Sequence, residues 1–142
     1  MVGVESVMRP LALPDLNGRT ILVVDDNDDA LDMLGTFLRA CGAHVLETHS
    51  ARGALTYIDT HPHIDVLITD LSMPEMDGTE LVRRLRTHSS RSDIPAIALT
   101  GFHEFYMNTS DFTAFLRKPA DLDRLCTAIN EAIEKGHPRA PG

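Results

Sequence analysis

Two cysteines, Cys41 and Cys126, are all the chain has, and they form no CxxC pair. No thiol metal motif or redox motif can be read from them, and the expectation is two buried thiols in a reducing compartment. Basic residues are also scarce: 13 Lys and Arg face 21 Asp and Glu, for a formal net charge of -8. That balance argues against nucleic acid as a partner, because a phosphate backbone is held by clustered Lys and Arg. The longest basic run is Arg83-Arg84, with Arg86 close by, and it reads as a solvated helix face. No apolar run reaches a membrane-spanning length, and no basic segment leads into an apolar signal stretch. The expectation is a cytoplasmic, soluble protein without membrane contact. Internal repeats and low-complexity tracts are absent. So are the Walker loop and GxGxxG, which argues against nucleotide binding.

What is present suffices for one domain. The chain has 142 residues, 43% of them hydrophobic, as in an ordinary globular core. Residues 1–19 carry Pro10, Pro14 and Gly18 without sustained periodicity and read as an N-terminal extension or linker. A rhythm then begins. The apolar run 21–24 is followed by a helical stripe of Leu31, Leu34, Leu38 and Cys41, stopped at Gly42. A second strand is expected at 44–46, and a short helix through Ala51, Ala54, Leu55 and Ile58. The third run, 64–69, precedes a helix opened by Gly78 with Leu81, Val82 and Leu85 inward. The fourth run is 94–99 and a short fifth is 114–116. Leu122, Leu125, Ile129 and Ile133 form the last stripe, and 136–142 reads as a flexible tail. The domain is therefore placed at 20–135. Five apolar runs alternating with amphipathic helices predict an α/β fold with an open, doubly wound parallel sheet.

Ligands of such sheets sit beyond the carboxyl ends of the strands. Asp25 and Asp26 follow the first run, Asp70 the third, Thr100 the fourth and Lys118 the fifth. On one sheet edge they make three carboxylates, a hydroxyl and an ammonium. Three close carboxylates repel one another, and one should hold a proton unless a cation intervenes. Magnesium suits such oxygen donors. With Lys118 it brings the site to about zero charge, ready for a phosphoryl group of about -1.5 to -2. A carboxylate can attack phosphorus, with metal and lysine stabilising the transferring oxygens. Each residue also has a plainer reading. Asp26 or Asn27 could cap the first helix, Asp70 could be a turn residue, and Lys118 a surface lysine. Convergence of all five outweighs these.

ILVVDDN (21–27), LITDLSMPEMDG (67–78), ALTG (98–101) and FLRKP (115–119) resemble the receiver domain of two-component response regulators. The resemblance spans about Thr20 to Lys135. It implies a flavodoxin-like sheet of order 2-1-3-4-5, with Asp70 as phosphoacceptor. Asp26 and Asp70 are implied as direct Mg2+ ligands, Asp25 as a ligand through water, and the Ser72 backbone carbonyl as the remaining protein ligand. It further implies Thr100 as the switch hydroxyl, Lys118 as the phosphate-pairing lysine ahead of a cis Pro119, and Phe115 as the switch aromatic. The phosphodonor would be a histidine kinase or a histidine phosphotransfer protein, and the output a downstream protein target. Such a domain is a signalling switch rather than an enzyme, with only self-catalysed phosphotransfer and autodephosphorylation.

One departure stands out. Lys118 stands only 18 positions after Thr100, about one helical turn fewer than the family usually has. The fourth helix is therefore expected to be short, irregular or absent. Phe102, Phe105, Tyr106, Met107 and Phe112 fill the stretch. They read first as a core plug, second as an exposed docking surface. Ala120 replaces a larger apolar residue, a minor change. His61 and His63 flank Pro62 as a surface loop, and His49 and His103 have no assigned role. Asp77-Gly78-Thr79 is similar to part of a haloacid-dehalogenase loop but lacks the strand that loop requires. The leading function is a phosphorylation-dependent switch, stand-alone or from a hybrid histidine kinase, as the 15–20 lead-in and IPAIALTG suggest. A phosphotransfer enzyme of another class would need a general base, and none is found. A pseudo-receiver serving as a constitutive binding module would have lost a key residue, and all five are present.

Overall fold

The computed structural model describes residues 14–101 and 110–138. Its strands are β1 (Thr20–Val24), β2 (His44–Thr48), β3 (Val66–Asp70), β4 (Ala96–Thr100) and β5 (Ala114–Arg117). Its helices among the described residues are α1 (Asp28–Ala40), α2 (Ala51–Thr60), α3 (Gly78–Arg86) and α4 (Leu122–Lys135). All neighbouring strands pair parallel in the order β2-β1-β3-β4-β5, as the alternation of runs and stripes predicts. Asp70 and Thr100 are the last residues of β3 and β4, so each strand ends one residue beyond its apolar run.

Strand alternation divides the core into two layers. Ile21, Val23, Val66, Ile68, Ile97 and Leu99 face one way, against α1 and α4. Leu22, Val24, Leu67, Ala96 and Ala98 face the other way, against α2 and α3. Both sides of the central strands are therefore apolar, which is why their sequences read as continuous runs. Asn27, Ser50, Asp77 and Asp121 cap the four helices, each accepting a backbone N–H of the first turn. Gly42, at φ 98°, turns the chain from α1 into β2.

Several details depart from the sequence reading. Leu16, in the stretch read as an extension, is fully buried, and its N–H donates to the Cys41 carbonyl at 2.9 Å. Cys41 and Cys126, distant in sequence, lie in one core with their thiols hydrogen-bonded, and burial pushes Cys126 up to about 12. Arg86 is buried rather than solvated. Its position four residues after Val82 puts it on the apolar stripe. The expected shortening of the fourth helix, with Phe102, Phe105, Tyr106 and Met107, falls on 102–109, outside the described residues. Phe112, at the end of that stretch, is buried in the layer shared with α2 and α3. Among the described residues no helix is long and apolar enough to cross a membrane.

Candidate functional site

The parallel sheet brings the carboxyl ends of β1, β3, β4 and β5 to one edge, where β1 is the strand at which the chain order reverses. Asp25 directly follows β1. Its N–H donates to the Thr48 carbonyl at 3.3 Å, which extends the pairing with β2 by one step. Its side chain is buried, and Oδ1 accepts from the Asn27 N–H at 2.9 Å. Asp26 is exposed one residue later, before Asn27 caps α1 through a 2.9 Å bond from the Ala30 N–H. Asp70 is buried at the end of β3, its Oδ1 accepting from the Ser72 N–H at 3.2 Å. One carboxylate oxygen from each of Asp25, Asp26 and Asp70 lies within 4.8 Å of the other two.

Lys118 arrives from the far side. Its N–H donates to the Thr100 carbonyl at 2.8 Å, which seats the start of the β5–α4 loop on the end of β4. The Lys118-Pro119 bond is cis. Lys118 Nζ then lies 3.0 Å from Asp70 Oδ2 and 3.4 Å from Asp25 Oδ2, so one ammonium serves two buried carboxylates. Burial pushes the Asp70 carboxyl above its usual range, and the neighbouring Asp25 adds to the rise against the pull of Lys118. For Lys118 burial works the other way, yet the bond and field of Asp70, with Asp25 behind, hold the ammonium above its ordinary value.

These side chains carry three negative charges against one positive charge. The donors are oxygens only, which suits a hard divalent cation such as Mg2+ and not a softer metal. Such an ion would offset the Asp25 repulsion that adds to the burial-driven rise at Asp70. Thr100 is buried at the end of β4, opposite Arg117 of β5, and Phe115 lies opposite Ala98. Ser72 is exposed beside Asp70, at the start of the β3–α3 loop. The sequence reading thus gathers Asp25, Asp26, Asp70, Ser72, Thr100 and Lys118 at one edge, with Phe115 farther down β5.

One contributor to the site is not evident from the sequence. Gly78, read only as a helix opener, packs on the backbone of the site. A Cβ there would stand 2.3 Å from the Asp70 carbonyl oxygen. Glycine at a first helical position, where other residues are better helix formers, was the available signal.

The family model for the response regulator receiver domain matches residues 21–130. Regulatory protein AtoC of Escherichia coli (strain K12) is 34% identical over 122 residues, covering 80% of this chain and 25% of AtoC. Sensor kinase CckA of Brucella abortus (strain 2308) is 34% identical over 127 residues, covering 85% of this chain and 13% of CckA. The chain therefore spans a quarter or less of these two relatives. Among solved structures, a response regulator described from Chloroflexus aurantiacus superposes with a TM-score of 0.74 at 28% identity, covering 82% of this chain and 98% of that one.

Proposed function

The chain belongs to the response regulator receiver domains of two-component signalling, and from that premise we propose that Asp70 accepts a phosphoryl group from a phosphohistidine. The observation that carries this is the ion-paired Asp70, buried at a strand end with two further carboxylates and one lysine. An Asp70 oxygen attacks phosphorus and an O–P bond forms. The P–N bond breaks, the donor imidazole keeps the electron pair, and it takes a proton from solvent. Lys118 leaves its contact with Asp70 to hold one transferring oxygen, and the Thr100 hydroxyl donates to another. Asp25, Asp26, Asp70 and the Ser72 carbonyl would hold Mg2+, whose chemistry is to neutralise charge on the phosphoryl oxygens. Phe115 and Thr100 form the switch whose packing the phosphate biases, so that affinity for a downstream protein changes.

The donor in this reading is a histidine kinase or histidine phosphotransfer protein, in the cytoplasm. The chain's own chemistry is limited to phosphotransfer and autodephosphorylation, and the proposed unit is residues 20–135, with Leu16 packed onto its core. Incubation with Mg2+ and acetyl phosphate should yield an acid-stable, base-labile adduct mapped to Asp70. Asp70→Asn and chelation should each abolish it. An adduct that survives Asp70→Asn refutes the assignment. No adduct on a folded protein leaves the constitutive binding module instead.

A further inference from the structure

Arg86 is an unusual buried residue. Among the described residues its guanidinium hydrogen-bonds only main-chain carbonyls: Nε donates to Asp111 at 2.8 Å, and Nη1 to Ser92 at 3.0 Å and to Ile94. Nη2 is buried without a partner among the described residues. Burial pushes the group down to about 10, so it remains cationic at neutral pH. An apolar side chain would fill this space without the desolvation cost. What it could not do is grip a carbonyl on each of two loops. Arg86 ties the entry to β4, at Ser92 and Ile94, to the entry to β5, at Asp111.

The residue after Asp111 is Phe112, and it is clamped from both sides. Behind it, Asp111 is held by Arg86. Ahead of it, the Thr113 N–H donates to the Ala96 carbonyl at 2.8 Å, and Thr113 Oγ1 accepts from the Ala96 N–H at 3.2 Å. The Phe112 ring packs on Phe115, with centroids 5.1 Å apart and planes tilted by 44°. Register supplies a direction. Thr113 sits beside Ala96, Phe115 beside Ala98 and Arg117 beside Thr100. Phe112 therefore holds Phe115 from the start of the strands, and Thr100 lies at their far end.

We propose that Arg86 and Phe112 are positioning residues that restrain the Phe115 ring from moving toward Thr100, and so set how readily the domain adopts its phosphorylated packing. This rests on the phosphoacceptor reading of Asp70. An aromatic pair of this kind has a strength that corresponds to about a 2- to 12-fold change in an equilibrium. Removing the restraint should favour the phosphorylated packing by that factor, because ligand binding no longer works against the Phe112 contact.

The test uses the full chain labelled with fluorophenylalanine, titrated with beryllium trifluoride in the presence of Mg2+ and followed by fluorine NMR. Phe112→Leu and Arg86→Met should each tighten apparent binding about 2- to 12-fold. Each should also move the Phe115 resonance toward its ligand-saturated position before any ligand is added. Adding Phe112→Leu to Phe115→Leu should change nothing further. Unchanged or weaker binding in folded variants, or additive effects in the double variant, overturns the proposal. If Arg86→Met does not fold, Phe112→Leu and the cycle decide. A wild-type chain that ignores the titrant removes the phosphoacceptor reading itself. A wild-type chain that responds, with variants identical to it, removes only the restraint.

Discussion

A single side chain near the chain's end shows how burial turns into pH dependence. His137 Nδ1 meets Thr113 Oγ1 at 3.2 Å, and its N–H reaches the Asp93 carbonyl at 3.3 Å, so the residue ties the segment after α4 to the start of β5. Burial, and then the nearby Arg86 charge, hold its imidazole below the ordinary 6.5, against a smaller pull from Asp111. The unfolded chain therefore binds this proton more readily than the folded one. Stability contributed at this site is full above 6.5 and falls as pH drops from there, until the folded group also protonates. His137→Gln should flatten that slope relative to wild type, as read from urea midpoints between about pH 5 and 7. An unchanged slope would place the acid sensitivity elsewhere. Nothing in the sequence marks His137, because its neighbours Arg86, Asp93 and Thr113 lie far away along the chain. Asp25, Asp26, Asp70 and Lys118 were legible for the opposite reason. Each lies within two residues of the end of an apolar run, and strand ends in a parallel sheet share an edge whatever the details of packing.

At the scale of elements, the loop from β3 to α3 is the most constrained piece beside the site. Gly78 begins α3 and presses on the Asp70 backbone, and its N–H donates to the Leu71 carbonyl at 2.9 Å. Replacing glycine with alanine normally favours a helix by about 0.5–1 kcal/mol. Here the added Cβ meets Asp70 O at 2.3 Å and Leu71 Cα at 3.0 Å, both backbone atoms that cannot rotate away. Overpacking of this kind costs about 1–3 kcal/mol, so the steric term wins. Gly78→Ala should lower stability by about 1–2 kcal/mol in urea unfolding and slow adduct formation at Asp70. A stabilised variant would show that the loop gives way. The strands and helices themselves were readable because two-sided burial makes continuous apolar runs and one-sided burial makes stripes. Arg86 was misread because a cation on such a stripe looks like an edge-of-helix residue until the carbonyls it binds are in place.

Across the whole molecule, the two apolar layers and the acidic edge pull in opposite directions. The layers bury Leu22, Leu67, Ile68 and Ile97 completely and account for the cohesion of the sheet. The edge concentrates Asp25, Asp26 and Asp70 around one ammonium, in a chain already at -8 overall. Folding creates that concentration of charge, and the unfolded chain lacks it. A divalent cation that binds only the folded arrangement must therefore raise stability with its concentration. At about 100 times its dissociation constant the gain is about 2.7 kcal/mol. For a domain of this size that corresponds to a rise of about 5–15 °C in the unfolding midpoint. Calorimetry of the full chain in Mg2+ against chelator should show that rise, and Asp26→Asn should remove most of it. Asp26 is the exposed member of the three, so this substitution leaves the buried Lys118 pairs and both apolar layers intact. A midpoint that ignores Mg2+, in a chain that still unfolds cooperatively, would mean that Lys118 alone balances the edge.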